Sequence, residues 1–254
     1  MKKILEILVR KIPRKQLIKL SYIFNKAAPL LYFGNKVYCP VCNNSFRKFL
    51  PYGNVWRDNR LCPKCFSLER HRMIWHFLKN ETDLFRKNLK MLHIAPEQCF
   101  YQKFRKMKNI DYITADLESP LADVKMDIIN MPFEDNEFDV IFCNHVLEHI
   151  EDDHKAMTEL FRVLKKDGFA ILQVPLDERL IETFEDPTIT DPQERKKKFW
   201  AKDHVRLYGL DYPKRLENAG FKVENIKYAE KLDDETISKQ RLLKELSLFV
   251  CRKQ

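Results

Sequence analysis

Residues 126–175 constrain the fold of this chain more than any other stretch of its sequence. Two apolar runs, Phe138–Cys143 and Phe169–Val174, have the length and the β-branched or aromatic character of buried strands. An amphipathic segment followed by a glycine lies between them, so the stretch predicts a strand, a helix and a second strand. Strands buried on both faces form parallel sheets, whose chemistry collects at the carboxyl ends of the strands. Asn144 and His145 directly follow one such end.

The same alternation of strand and helix patterns continues on both sides of this stretch, which predicts an α/β fold with a parallel sheet. Further strands are predicted at Met91–Ala95, Tyr112–Ala115, Asp127–Ile129, Phe221–Tyr228 and Leu246–Cys251. Helices are predicted from Ser67 as the cap to Leu78, and at Cys99–Lys106, Asp153–Lys165 and Pro213–Asn218. Residues 176–212 form an insertion without clear periodicity, and a connection of this length is uncommon unless it has a function.

The charge of the chain is divided unevenly along its 254 residues. Residues 1–35 carry eight basic side chains and one acidic one, and residues 36–90 carry twelve and four. The remainder is mildly acidic, although the whole chain has a formal charge of +9. This division favours a basic accessory region that meets a phosphate backbone, a lipid headgroup or a nucleotide-linked substrate. The alternative is a basic surface that only water contacts.

Residues 1–33 repeat apolar positions with lysine and arginine between them and are interrupted by Pro13, which predicts two short basic amphipathic helices. Such an arm either lies in a membrane interface or packs on its own domain. No apolar run approaches the roughly 18 residues of a membrane span, and the first residues lack a secretory signal pattern. We therefore expect a cytoplasmic protein, with peripheral contact at the inner membrane face as an open alternative.

Four of the seven cysteines form two close pairs, Cys39-Pro-Val-Cys42 and Cys62-Pro-Lys-Cys65. Nineteen residues separate the pairs, and this spacing is typical of a zinc ribbon in which four thiolates bind one structural Zn²⁺. The metal would stabilise a segment, residues 36–66, that is too small to have a core of its own. Cys99, Cys143 and Cys251 stand apart and are expected to be plain buried thiols.

Residues 90–252 resemble the Rossmann-like, class I S-adenosylmethionine-dependent methyltransferases. The resemblance is closest over D-x-x-x-M-P-F-x-D-x-x-F-D-V-I-F-C-N-H-V-L-E-H-I and E-L-F-R-V-L-K-K-D-G. It implies a seven-stranded sheet whose last strand is antiparallel. The cysteine pairs resemble those of zinc-ribbon-bearing relatives, including some bacterial methyltransferases that act on ribosomal RNA. The expected domains are a basic helical arm (1–35), a zinc-ribbon-like module (36–66) and a methyltransferase domain (67–254) with residues 176–212 as a substrate lid.

The resemblance implies that S-adenosylmethionine lies over the carboxyl ends of the first strands. Asp116 would bind the ribose hydroxyls, because a carboxylate accepts two hydrogen bonds from a vicinal diol. The implied cofactor-binding residues are His93, Ala95, Pro96, Glu97, Asp116, Leu117, Asp127, Ile128 and Asn144. The loop 93–97 departs from the family because it lacks the usual glycines. Ala95 is small and Pro96 presets φ, so the turn can form, and Glu97 either faces away or binds the amino group of the cofactor.

Methyl transfer to a hydroxyl or amine requires a base, and His145 and His204 are the candidates. Asp203, Arg206 and Tyr208 are expected to position the substrate, with a salt-bridged anchor of the insertion as the alternative. The family resemblance also leaves a metal site open, because some methyltransferases of this fold carry E-x-x-E-H and a later histidine as ligands. The corresponding residues are His145, Glu148, His149 and His204, and hydrogen-bonding roles for Glu148 and His149 are favoured over metal binding. The H-x-x-E-H pattern of some zinc proteases has the wrong context here.

These observations predict a zinc-containing, S-adenosylmethionine-dependent methyltransferase that modifies oxygen or nitrogen of a small-molecule or glycan-type acceptor. The first alternative is an RNA methyltransferase that holds phosphates with its basic, aromatic-rich ribbon. The second is a non-catalytic adaptor that retains the fold and binds a partner through the ribbon.

Overall fold

A computed structural model describes residues 12–53 and 56–254. Residues 1–11 lie outside the described residues, and with them the first of the two predicted arm helices. The elements in chain order are α1 (Arg14–Leu31), β1 (Val37–Cys39), β2 (Asn44–Phe46), β3 (Leu50–Tyr52), β4 (Arg57–Leu61), α2 (Glu69–Glu81), β5 (Leu89–Ile94), α3 (Gln98–Phe104), β6 (Ile110–Asp116), β7 (Val124–Lys125), β8 (Phe138–Asn144), α4 (Asp153–Val163), β9 (Leu164–Gln173), β10 (Phe184–Glu185), α5 (Pro192–Lys198), β11 (Arg206–Leu207), α6 (Tyr212–Asn218), β12 (Lys222–Ile226), α7 (Asp234–Gln240) and β13 (Leu248–Arg252).

The described residues divide into two compact units. The first, here called the cysteine unit, comprises residues up to 83 together with 97–103 and 228–246. The second, here called the sheet unit, comprises Leu84–Pro96, Phe104–Lys227 and Ser247–Gln254. The two units do not divide the chain at residues 35 and 66, and the predicted domain boundaries there stay predictions.

The sheet unit is built on seven strands in the order β12-β13-β9-β8-β5-β6-β7. Strands β5 to β9 pair in parallel, and β13 is antiparallel to both of its neighbours, β9 and β12. The predicted α/β fold, with a seven-stranded sheet and an antiparallel last strand, is therefore confirmed. Because β5, β6 and β8 are adjacent and parallel, the residues that follow them meet at one edge of the sheet.

The stretch that most constrained the prediction folds as expected, with two differences at its boundaries. Strand β8 is buried on both faces, and helix α4 begins where the Asp152 side chain accepts a hydrogen bond from the Lys155 N–H at 3.0 Å. The helix ends at Val163 rather than Lys165, because Leu164 already has extended backbone and starts β9. Gly168 lies inside β9 and does not end the helix: a Cβ there would lie 2.9 Å from the carbonyl oxygens of Asp139 and Lys165.

One other prediction of local structure is wrong in detail, and the insertion contains short elements that the sequence did not indicate. Asp127–Ile129 forms a turn, and the short strand lies earlier, at Val124–Lys125. The long insertion contains β10, α5 and β11, of which β10 and β11 pair with each other in antiparallel fashion. None of these short elements has enough residues to produce a periodic pattern in the sequence.

Candidate functional site

The four paired cysteines converge on one point in the cysteine unit. The Sγ atoms of Cys39 and Cys65 are 3.6 Å apart, and those of Cys42 and Cys62 are 3.7 Å apart. All four Sγ atoms lie within 4.8 Å of one another, and all four thiols are free. A tetrahedron of sulfur atoms about 2.3 Å from Zn²⁺ has edges of about 3.8 Å. The four cysteines therefore fit a structural Zn²⁺ and leave no open position on the metal.

The two cysteine pairs use the same turn. The residue after each second cysteine has left-handed backbone, with φ of 54° at Asn43 and 61° at Phe66. Ser67, predicted as the cap of the next helix, instead places its Oγ 3.1 Å from Cys39 Sγ and 3.3 Å from Cys65 Sγ. The helix α2 begins two residues later, with Leu68 at the N-cap position. The Ser67 hydroxyl is thus recruited by the sulfur cluster, where it can donate to a thiolate.

A fully buried arginine accompanies the sulfur cluster. The Arg72 guanidinium donates to the backbone carbonyls of Gln240, Ser67 and Arg60, so these partners bring no negative charge. Burial lowers the pKa of Arg72, and the negative charges of the Cys39 thiolate and the Glu69 carboxylate act in the opposite direction. Four thiolates and one Zn²⁺ carry a net charge of about −2, which would offset a buried cation.

In the sheet unit, two residues other than glycine have left-handed backbone at the carboxyl ends of neighbouring strands. Ala95 follows β5 with φ of 49°, and His145 follows β8 with φ of 55°. Such conformations cost about 1–2 kcal/mol each for residues with a Cβ, and they cluster at functional sites. The glycine-free loop therefore makes the sharp turn that a glycine would favour, and the Ala95 N–H is held by the Ala115 carbonyl at 2.9 Å.

The predicted cofactor residues of the sheet unit lie along this edge. Asp116 ends β6, and its Oδ1 accepts from the backbone N–H of Glu118 and Ser119 at 2.8 and 2.6 Å. Leu117 beside it is 64% exposed, which leaves an apolar surface available to a flat ring. Asp127 caps a turn, because its Oδ1 accepts from the Ile129 N–H at 3.2 Å. Ile128 and Asn144 are buried, and Pro96 follows Ala95 in the loop.

Two predicted cofactor residues have partners inside the protein. His93 is fully buried in β5, and its Nδ1 lies 2.8 Å from the Tyr112 hydroxyl. In the cysteine unit, Glu97 Oε1 lies 2.7 Å from His71 Nε2. His71 Nδ1 accepts from the Leu68 N–H, so its Nε2 carries a proton and donates to Glu97. Roles for His93 and Glu97 in cofactor binding stay predictions.

After β8, the predicted bases His145 and His204 lie close to Glu148, and His149 completes the set of residues in the metal-site alternative. His145 Nδ1 lies 3.2 Å from Glu148 Oε1, and the rings of His149 and His204 meet edge to face with centroids 4.8 Å apart. One ligand atom each from Glu148, His149 and His204 lies within 4.8 Å of the others. Among the described residues, Glu148 Oε2 is buried and finds no hydrogen-bond partner.

Backbone carbonyls fix the orientation and the tautomer of the His149 and His204 rings. His204 Nδ1 lies 2.8 Å from the Phe199 carbonyl oxygen, and His149 Nδ1 lies 3.1 Å from that of Asp203. A carbonyl only accepts, so each Nδ1 donates and each neutral ring keeps its lone pair on Nε2. Burial lowers the pKa of His204, and the neighbouring His149 acts in the same direction against Glu148. The three side chains thus have the donor set of a divalent-cation site, with positions left for other ligands.

The three residues of the insertion that were predicted to position the substrate differ in burial and in their hydrogen-bond partners. The Arg206 guanidinium is buried and donates to the carbonyls of Leu147, Ile150 and Glu151 and to Glu185. All of these bonds stay inside the sheet unit, a geometry that suits the alternative of an anchor for the insertion.

Tyr208 is also fully buried, and its hydroxyl donates to Asp153 Oδ2 at 2.7 Å. Burial and the Asp153 carboxylate raise the pKa of Tyr208 well above its usual value. Asp203, by contrast, has a side chain that is 73% exposed, with Oδ2 3.5 Å from His149 Nδ1. A substrate role for any of the three stays a prediction.

The pair Arg162 and Glu159 supports the loop 131–135, and the sequence did not identify it. Arg162 donates to the carbonyls of Met131 and Phe133, and its partner Glu159 accepts from the Met131 N–H at 2.8 Å. Arg162 also binds Glu159 at 2.7 Å and Asp135 at 2.8 Å. The strings M-P-F-x-D and E-L-F-R, which carried the family resemblance, therefore form one hydrogen-bonded network. Their joint presence was the signal that could have identified these residues.

Comparisons with known proteins bear on the same region. Residues 83–172 match the family model of the methyltransferase domain. A segment of 43 residues is 44% identical to the uncharacterized methyltransferase YcgJ of Bacillus subtilis, and covers 17% of each chain. A segment of 52 residues is 40% identical to the 2-phytyl-1,4-naphtoquinone methyltransferase of Nostoc punctiforme, and covers 20% of this chain and 23% of that one. The matched segments thus span less than a quarter of these curated relatives.

Among solved structures, the YcgJ protein of Bacillus subtilis superposes with a TM-score of 0.46 and 16% identity, over 72% of this chain and 99% of that one. The sheet order and the family match agree on the class of fold, which is that of the Rossmann-like methyltransferases. They support a class I S-adenosylmethionine-dependent methyltransferase domain that includes residues 83–172.

Proposed function

We propose that this protein transfers a methyl group from S-adenosylmethionine to an oxygen or nitrogen of a small-molecule or glycan-type acceptor. The observation that carries the proposal is the edge formed after β5, β6 and β8. There, left-handed Ala95 follows the middle strand β5, left-handed His145 follows its neighbour β8, and Asp116 ends its other neighbour β6. Backbone strain at adjacent strand ends, next to a carboxylate, is typical of a ligand site rather than of a scaffold.

The residues of this edge suit the parts of the cofactor. Asp116 uses Oδ1 to hold its own turn, so Oδ2 is the oxygen we assign to the ribose hydroxyls. The exposed Leu117 side chain would cover one face of the adenine ring, with Asp127 and Ile128 beside it. S-Adenosylmethionine supplies an electrophilic methyl group, and the protein must orient the acceptor in line with it and remove a proton.

His145 is the base that we propose. Its ring is partly exposed at the end of β8, and Glu148 Oε1 lies 3.2 Å from Nδ1, where it would orient the ring and stabilise the imidazolium. His204 serves differently in this proposal: with Glu148 and His149 it would hold a divalent cation, which when bound would polarise an acceptor oxygen. The buried Glu148 Oε2, which has no hydrogen-bond partner within residues 12–53 and 56–254, supports the cation in place of a purely hydrogen-bonded cluster.

A cavity of the sheet unit, lined in part by the residue next to His204, supports the proposal of a hydroxyl-rich acceptor. This cavity has a volume of about 530 Å³ and is lined by Glu151, Glu185, Asp186, Pro187, Arg195, Val205 and Arg206. Carboxylates that line a cavity accept hydrogen bonds from hydroxyl groups, and Val205 is the residue next to His204.

The test is calorimetry with S-adenosylhomocysteine on the zinc-loaded chain. Asp116→Asn keeps Oδ1 for the turn but loses the charge, so we expect binding at least about tenfold weaker. Asp111→Asn, an exposed aspartate in the same strand, is the matched control and should bind like the wild type. Absence of binding by the wild type would favour the adaptor. Equal binding by Asp116→Asn would contradict the assignment of Asp116.

The acceptor class is tested by methylation assays with glycans, small phenols and amines, and ribosomal RNA. We expect transfer to a glycan or small molecule, and transfer confined to RNA with binding that falls steeply with salt would establish the alternative. His145→Gln should lower the rate without weakening cofactor binding. His204→Gln should remove any stimulation by added Mn²⁺ or Zn²⁺, whereas the same stimulation in this variant would contradict the cation site.

A further inference from the structure

The helix α1 has two apolar faces, and the other residues that the structure describes cover only one of them. On the inner face, Phe24 stacks on Phe66 with ring centroids 6.2 Å apart, and Ala28 is fully buried. Ser21 accepts a hydrogen bond from Gln98 at 2.7 Å, and the Arg47 N–H donates to the Tyr32 carbonyl at 2.9 Å. The helix is therefore fixed to the rest of the cysteine unit, and its orientation leaves the opposite face in solvent.

That outer face carries a continuous apolar stripe. Leu20, Ile23, Leu30 and Leu31 are 52, 68, 82 and 56% exposed, and Phe33 just after the helix is 82% exposed. At 3.6 residues per turn, the four helical positions fall within about 100° of one another. Large apolar side chains that are exposed singly are normal, but a stripe of this kind on one helix face marks an interaction surface.

A row of cations borders the stripe. Lys15, Lys19 and Lys26 are exposed and lie within about 40° of one another on the helix, directly beside the apolar positions. No aspartate or glutamate occurs between residues 7 and 57. Lysines along one border of an apolar stripe are typical of a helix that lies in the surface of an anionic bilayer. No helix in the described part of the chain is long and apolar enough to cross a membrane.

We propose that α1 docks the protein on anionic membranes, with Leu20, Ile23, Leu30 and Leu31 in the acyl boundary and the lysine row on the headgroups. A second copy of the chain fits this surface poorly, because it would bring another lysine row and no nearby carboxylate to neutralise it. The proposal is independent of the proposed function, since every residue in it belongs to the cysteine unit.

The test is sedimentation of the full chain with vesicles of phosphatidylcholine alone and of phosphatidylcholine mixed with phosphatidylglycerol. We expect binding to the mixed vesicles that weakens with salt. Ile23→Ser/Leu30→Ser should bind at least about tenfold more weakly, because it loses the apolar area. Lys15→Gln/Lys19→Gln/Lys26→Gln should lose the preference for anionic vesicles. Zinc content and the thermal midpoint of each variant should equal those of the wild type.

Ile181→Ser/Leu210→Ser is the matched control, because these residues of the sheet unit are 81 and 54% exposed and lie outside the stripe. It should bind mixed vesicles like the wild type. Absence of vesicle binding by the wild type, or equal binding by all variants, would overturn the proposal. Light scattering that finds a dimer lost in Ile23→Ser/Leu30→Ser, without vesicle binding, would assign the stripe to a second copy and would likewise overturn it.

Discussion

The sulfur cluster of the cysteine unit and the carboxyl edge of the sheet differ in how the chain positions their polar side chains. In the cluster, two pairs of cysteines with identical short spacing make the same turn twice, and the strands around them have three to five residues each. At the edge, each functional residue comes from a different strand or loop of a sheet whose strands are buried on both faces. We expect the cluster to depend on a bound metal for its stability, whereas the edge depends on the packing beneath it.

This difference predicts how each region fails when a residue is changed. Removing one ligand from the cluster should release the metal and with it most of the local structure, because the short strands have little core of their own. Removing one residue from the edge should change affinity or stability by a limited amount, because the sheet remains.

Loss of one zinc ligand should have the largest effect. Cys62→Ser should lose the bound zinc and destabilise the cysteine unit by more than about 5 kcal/mol, since structural zinc sites contribute about 10–16 kcal/mol of apparent binding energy. Zinc content by atomic emission and a thermal scan of the same sample measure both effects. Cys251→Ala, a buried thiol in β13, is the control and should keep one zinc per chain. A Cys62→Ser protein with full zinc content would remove the cluster from consideration as a metal site.

Next in size is the anchor of the insertion. Arg206→Met removes the positive charge beside Asp153 and Glu185 and leaves several backbone carbonyls without their hydrogen-bond donor. It should therefore cost about 3–5 kcal/mol in the free energy of unfolding. Urea denaturation measures this, and Arg179→Met is the control because that arginine is 82% exposed. A cost no larger than that of the control would show that Arg206 is free for a substrate after all.

A smaller effect is expected from the pair Arg162 and Glu159, which supports the loop 131–135. Hydrogen bonds from Arg162, opposed by burial, hold the pKa of Glu159 below its usual value. A carboxylate with a lowered pKa stabilises the fold above its unfolded pKa of about 4.3, and this contribution disappears as pH falls through the folded pKa. Glu159→Gln should therefore cost about 1–2 kcal/mol at neutral pH, and the difference from the wild type should shrink in acid.

Urea denaturation at pH values from neutral to about 3 measures this dependence. Glu217→Gln is the matched control, because Glu217 forms only an exposed pair with Lys214 at i,i+3. A difference between wild type and Glu159→Gln that is independent of pH would mean that the charge of Glu159 is not what stabilises the loop.

The smallest effect should come from the strained turn after β5. Ala95→Gly removes the cost of a Cβ at φ of 49° but adds flexibility to the unfolded chain, so the free energy of unfolding should rise by up to about 1 kcal/mol. Thermal denaturation of Ala95→Gly beside Ala122→Gly, whose φ is not positive, measures the difference. A loss of stability in both variants would show that the left-handed turn carries no strain.

Much of the architecture could be predicted because it repeats a local pattern. Most strands and helices of the sheet unit, the antiparallel last strand and the cysteine pairs followed from periodicity, spacing or resemblance, whereas β7, β10, α5 and β11 did not. The errors occurred where contacts distant in sequence override local preference. Serine is a residue type typical of a helix N-cap, but the Ser67 hydroxyl contacts the sulfur cluster instead. Gly168 looks like a helix stop, but the crowding of β8 against β9 requires it.

Some residues of the candidate sites could likewise be predicted from local spacing, and others could not. The cysteine ligands could be named from their spacing, because two thiols three residues apart in one turn can reach a single ion. The grouping of Glu148, His149 and His204 could not be derived from spacing, because His204 arrives through an insertion without periodicity. Its position depends on Arg206 and on the bond between the Val205 N–H and the Glu148 carbonyl at 2.9 Å.

The sequence by itself determined which elements form, which thiols face a common point and which strand ends carry polar groups, because these depend on neighbours within a few residues. Only the tertiary structure decided which side chains are occupied by the protein itself. It committed Arg206 and Tyr208 to internal partners and exposed the outer stripe of α1, and it left Glu148 Oε2 without a partner in the described part of the chain. The physical reason is that hydrogen-bond satisfaction and burial depend on residues far apart in the chain, which no local pattern records.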